Sequence, residues 1–114
     1  MSISKLEELR KELLELVNKT PELQSFIEYI EKAESPKTLD RKTKELMSLA
    51  IGIAIRCEPC ILWHAAEAIK AGASMDEILD TIKVAVCMGG GPALAYSVKA
   101  YELVKELYTS LKQQ

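Results

Sequence analysis

No segment of this chain gathers basic side chains into a stripe. Lys and Glu alternate along it, and the 114 residues carry a net charge of -2. Nothing there tracks a phosphate backbone, which excludes nucleic acid as an expected partner. Long apolar runs are also missing. The longest, Leu46 to Ile55, is far too short to span a bilayer, so no membrane association is expected. The opening segment, MSISKLEELRKELLELV, has a charged amphipathic pattern where a signal peptide would have a basic stretch and an apolar core, so the expected location is the cytoplasm. Three cysteines in such a chain form no disulfide framework; there, paired cysteines serve metal binding or redox chemistry. No stretch alternates with period two, which removes strands. The GGGP segment lacks the preceding strand and the lysine of a phosphate cradle, so nucleotide binding is not expected.

What is present is helical spacing throughout, in a chain 48% apolar and 28% charged, the profile of one soluble globular domain spanning residues 1–114. Start and stop signals divide it into about six helices. Ser4 with Glu7 reads as a capping box opening a helix lined by Leu6, Leu9, Leu13, Leu16 and Val17. Thr20 with Pro21 opens a second, lined by Leu23, Phe26, Ile27 and Ile30. After the loop AESPKT, Asp40 caps a third, running to about Ile55. Its second half is apolar nearly all round, and Gly52 within it predicts close approach of another backbone. A fourth helix begins at about Cys57 and ends near Gly72. Ser74 and Glu77 form a second capping box for a fifth, which places Ile78, Ile82, Ala85 and Val86 inward. MGGGPA breaks it, and Pro92 starts a last helix to about Leu111. The predicted fold is all-α, with helices three and four forming a central antiparallel hairpin.

The segment CEPCILWH, residues 57–64, holds two of the three cysteines and the only histidine. At about 100° per residue, Cys60 lies roughly 60° from Cys57 and His64 about 20° from it, one narrow arc of the helix. Pro59 is tolerated only in a first turn, which puts both cysteines at the helix N-terminus. Free backbone N–H groups and the positive end of the dipole lower a thiol pKa there, and Arg56 adjoins. The hairpin brings Glu45 back toward His64, and a carboxylate reaching an imidazole that reaches a thiol has the geometry of a proton relay. Two other readings stand beside this one. The cluster could be packed core residues, or three ligands of a metal site with Cys87 or Glu45 as the fourth. Cys87, on an apolar helical face, reads as a small core hydrophobe. Trp63 and Tyr96 read as packing or interface residues, and Glu67 as an exposed partner on the helix.

Glu45, Cys57, Cys60 and His64 together resemble the E-x(11)-C-x-x-C-x-x-x-H signature of alkylhydroperoxidase D-like proteins, in the carboxymuconolactone decarboxylase family. The resemblance runs from LDRKTKELMSLAIGIAIRCEPC through ILWHAAEAIKAGASMDEILDTIKVAVCMGGGPA, more than half of the chain. It implies an all-helical homo-oligomer, a trimer or hexamer, acting as a peroxidase or thiol–disulfide oxidoreductase with no bound cofactor or metal. By that resemblance Glu45 draws a proton from Cys60 through His64 and a water. Cys60 attacks a peroxide or disulfide substrate, Cys57 resolves the product as a Cys57–Cys60 disulfide, and a dithiol reductant protein reduces it. Some members carry a second histidine between the cysteines, where this chain has Pro59. Members named for lactone decarboxylation generally lack the cysteine pair. The alternatives are a non-catalytic metal-binding or assembly protein on the same scaffold, or lactone-type small-molecule chemistry.

Overall fold

The computed structural model describes residues 2–112, and among them every regular element is helical. The order is α1 (Ser2–Lys19), a short 3-10 turn (Pro21–Leu23), α2 (Gln24–Glu34), α3 (Arg41–Ala54), α4 (Glu58–Lys70) and α5 (Met75–Lys112). Helices α3, α4 and α5 pack on one another to form the core, and α1 lies across α4 and α5. Leu49 and Ile53 from α3, Ile61 and Ala65 from α4, and Ile78, Leu103 and Leu107 from α5 are fully buried together with Leu6 of α1. These contacts lock the α3–α4 hairpin from behind and leave its other face to α1 and α2.

The helix count depends on α5. Two helical segments run on from Met75 to Lys112, joined at Gly90, which sits at φ 71°, ψ −156°, a region open only to glycine. The expected break at MGGGPA is therefore a kink, with Pro92 in the first turn beyond it. The first helix begins earlier than the Ser4–Glu7 box predicts. Ser2 is buried against the end of α5, where its Oγ donates to Glu106 Oε1 at 2.5 Å, so this tertiary bond sets the start and leaves Ser4 exposed. Thr20 does not cap through its hydroxyl, which bonds back to Leu16 O at 2.5 Å.

The other two caps form as the sequence predicts. Asp40 accepts from Thr43 N at 2.7 Å, and Ser74 and Glu77 exchange side-chain-to-backbone bonds of 3.0 and 2.9 Å. The Thr43 hydroxyl and then its amide hold Asp40 below the usual carboxylate range. Lys42, then the Ser74 amide, do the same for Glu77, and the Ser2 hydroxyl does so for Glu106. A depressed folded pKa contributes stability that is present above the unfolded value and lost as pH falls through the folded one. Thermal melts should therefore lose midpoint temperature between about pH 5 and pH 3, and Asp40→Asn with Glu77→Gln should flatten that slope. Asp40 is exposed and Glu77 and Glu106 are only half-buried, so the effect is modest.

Candidate functional site

The site starts at the turn between α3 and α4. Helix α3 ends with Arg56 N bonded to Ile53 O (3.1 Å) and Cys57 N bonded to Gly52 O (2.9 Å). This is the double closure of a Schellman motif, and it needs a left-handed residue at position 56. Arg56 occupies it at φ 59°, a strained choice for a residue with a side chain. Arg56→Gly should therefore raise stability by about 0.5–1 kcal/mol in a urea titration, the relief of strain exceeding glycine's entropic cost.

That turn delivers Cys57 as the N-cap of α4, where its Sγ accepts from Cys60 N at 3.2 Å. Pro59 lies in the first turn, as its chemistry requires. Cys57 and Cys60 are joined as a disulfide, their Cα atoms 5.3 Å apart. Gly52 explains how α3 passes so close. A Cβ there would lie 3.0 Å from the Cβ of Cys60, so the predicted close approach is to the cysteine helix itself. Gly52→Ala should push the start of α4 outward and slow thiol–disulfide chemistry, which timed alkylation of the reduced thiols would report.

Across the hairpin, Glu45 is 1% exposed and bridges two cationic or protonatable groups. Its Oε2 accepts from Arg41 Nε at 2.8 Å, and its Oε1 lies 2.7 Å from His64 Nδ1. A carboxylate paired with a guanidinium is an acceptor, so Nδ1 carries the hydrogen toward it; in the neutral imidazole Nε2 is then the nitrogen with a lone pair to take a proton. Arg41 also reaches Glu67 Oε1 at 3.3 Å, and Arg10 of α1 reaches Glu67 Oε2 at 3.6 Å while lying over the Trp63 ring. Glu67 thus anchors two arginines, more than the isolated surface partner its sequence position suggests.

A cavity of about 590 Å³ opens beside these groups, between the hairpin and α1–α2. Cys60, Trp63, His64, Glu45 and Glu34 reach it, and Leu13, Phe26, Ile27 and Ile30 give it an apolar wall. Cys60 is therefore the sulfur facing the cavity, and Cys57 stands behind it. Glu34, at the last position of α2, was not visible as a site residue from sequence. It lies eleven residues before Glu45, across a loop, and no spacing rule connects the two. Lys44 fixes its position by bonding the carbonyls of Ala33 (3.0 Å) and Ser35 (2.7 Å) at the end of α2. Ser48 Oγ then donates to Glu34 Oε1 at 2.5 Å. Oxygen and nitrogen atoms of Glu34, Glu45 and His64 lie within 4.8 Å of one another, the set that could hold a cation; the two cysteines are not part of it.

Two expectations need correction. Cys87 is exposed on α5 and is not a core residue; it shares a helix with the exposed Val84 and Met88, so its apolar neighbours mark an uncovered face instead of the interior. Its exposed position also separates it from any metal set built on His64. Arg56 points to solvent and makes no hydrogen bond or ion pair with either cysteine among the described residues; the left-handed turn turns it away. Trp63, read from sequence as a packing or interface residue, is half-buried and also lines the cavity that Cys60 reaches.

Residues 21–103 match the family model described as the carboxymuconolactone decarboxylase family. A crystal structure of an apo protein of that family from Legionella pneumophila is 34% identical, with a TM-score of 0.84 over 92% of this chain and 96% of that one. A second, from Thermotoga maritima, is 33% identical with a TM-score of 0.86, covering 96% of this chain and 94% of its own. It is described as a family member with a possible involvement in an antioxidative response. An uncharacterised protein of Cupriavidus necator is 26% identical over 98 residues, 85% of this chain and 87% of its own.

Proposed function

The chain belongs to the carboxymuconolactone decarboxylase family, and we propose that within it this protein is a thiol-based antioxidant oxidoreductase with peroxidase activity. The observation that carries this reading is the cysteine pair bonded at the start of α4, with Cys60 facing a cavity that it shares with the Glu45–His64 pair.

In the reduced protein, Glu45 orients His64 so that Nε2 takes the Cys60 proton through a water. The Cys60 thiolate then attacks the outer oxygen of a hydroperoxide. An S–O bond forms, the O–O bond breaks, and the departing alkoxide recovers the relayed proton as an alcohol. Cys57 attacks the resulting sulfenic acid, water leaves, and the disulfide closes. A dithiol protein returns two electrons and two protons to regenerate the thiols. That cycle suits a reducing cytoplasm. Pro59 replaces the second histidine some relatives carry between the cysteines, so all proton transfer falls to His64.

A peroxide-consumption assay with dithiothreitol as reductant tests the activity. Catalytic loss of hydroperoxide that needs both cysteines supports it, and consumption no faster than the reagent alone rejects it.

We also infer a homo-oligomer. Met47 and Ile51 on α3 and Ile55 at its C-cap form an exposed stripe, and Val84, Met88 and Val98 are exposed on α5. The two helices meet where Ala54 approaches Gly89. Helix α5 also contains, by length and composition, an 18-residue stretch apolar enough to cross a membrane, with a mean hydropathy of 1.3. Its kink at Gly90 and the packing of its inner side on α3 and α4 favour a second copy of the chain as the cover. Sedimentation at micromolar concentration should show a trimer or hexamer, and Ile51→Glu with Met88→Glu should shift it to monomer.

A further inference from the structure

Among the described residues, Glu34 Oε2 is the buried side-chain oxygen that finds no hydrogen-bond partner. Its sister oxygen is held by Ser48, and the end of α2 is held by Lys44, so the carboxylate cannot swing away. Arg41, the nearest cation lining the same cavity, is already engaged by Glu45 and Glu67. What remains is one unpartnered acceptor on a carboxylate that lines the cavity, with an oxygen of that carboxylate within 4.8 Å of ligand atoms of Glu45 and His64. An acceptor kept from water without a donor is unfavourable, and a ligand that supplies the donor removes that penalty.

We propose that Glu34 is a substrate-recognition residue: its free oxygen accepts the O–H hydrogen of a hydroperoxide whose apolar body occupies the cavity. This rests on the thiol-peroxidase reading above and specifies how substrate is chosen within it. The assignment follows from matching chemistry. The ligand must carry a donor at the end where Glu34 and His64 stand and an apolar body, since Leu13, Phe26, Ile27 and Ile30 form an apolar wall beyond them. A carboxylate-headed ligand would set like charge against Glu34 and Glu45. A hydroperoxide meets both requirements, and the oxygen bearing the donated hydrogen is the one a thiolate attacks. Accepting that hydrogen therefore aims the O–O bond at Cys60. Hydrogen peroxide offers the donor but has no body to displace water from the apolar wall, so it should be the poorer substrate.

The test measures second-order rates of Cys60 oxidation in the fully reduced protein with cumene hydroperoxide and with hydrogen peroxide. Methyl methanethiosulfonate, which reacts with thiols and carries no hydrogen-bond donor, serves as a control. Glu34→Gln keeps shape and the Ser48 bond but presents an amide N–H where the acceptor was. It should lower the cumene hydroperoxide rate about tenfold or more, with the methanethiosulfonate rate unchanged. Ser48→Ala, which frees the other oxygen, should show the same selective loss in smaller measure. Wild-type rates in Glu34→Gln overturn the proposal, as does an equal fall with methanethiosulfonate, because Glu34 would then act on the thiol or the fold. A divalent cation retained through dialysis by the wild type and lost from Glu34→Gln also overturns it. If neither peroxide oxidises the wild type, the peroxidase reading itself fails; an oxidised wild type with an unaffected variant removes Glu34 alone.

Discussion

Replacing Cys60 by serine is expected to lower hydroperoxide turnover on the order of 10³-fold or more, while Cys57→Ser stops turnover at a different point. Cys60 faces the cavity and shares it with His64, whereas Cys57 is the N-cap residue behind. In Cys57→Ser the first step remains. One equivalent of peroxide should be consumed per chain, and a sulfenic acid should accumulate on Cys60, where dimedone traps it. Cys60→Ser should give neither. Equal behaviour of the two variants would contradict the assignment of roles. Both should fold, since the structure buries neither cysteine fully and the core lies on the opposite face of α4.

Glu45→Gln should slow oxidation of Cys60 by about 10²- to 10⁴-fold, the range for losing a positioned acid–base group. The carboxylate serves two partners at once, Arg41 at 2.8 Å and His64 at 2.7 Å. An amide offers a single acceptor oxygen, so one of them loses its bond, and the histidine is no longer held with Nε2 as its free nitrogen. The diagnostic readout is the pH profile. In the variant the rate should climb with pH as hydroxide takes over the removal of the thiol proton, and the gap to wild type should narrow. A uniform loss at every pH, accompanied by a lower melting temperature, would point to damaged packing instead.

The parts of this site that could be read from sequence are those joined by a helix or a short turn. Cys57, Cys60 and His64 follow from the helical arc, Pro59 fixes the helix start, and Glu45 follows from counting back through a hairpin that the core then enforces. Asp40 and the Ser74–Glu77 box were readable because a cap is a local bond. What escaped depends on contacts made at a distance. Ser2 starts α1 because Glu106 meets it from the far end of the chain, which no local pattern announces. Glu34 enters the site through Ser48 and Lys44, on a helix that approaches after a loop. Cys87 shows a limit of another kind: an apolar helical face looks alike whether it meets the core or an absent partner. The family match gives the fold and a relative described in antioxidative terms. The roles proposed within the site rest on the distances between its side chains.

The most direct measurement is a thiol count with mass-spectrometric mapping after one equivalent of hydroperoxide is added to the fully reduced protein. Of the three cysteines, two should lose reactivity together, joined as Cys57–Cys60, while Cys87 stays free. Three intact thiols, or oxidation confined to Cys87, would contradict the account.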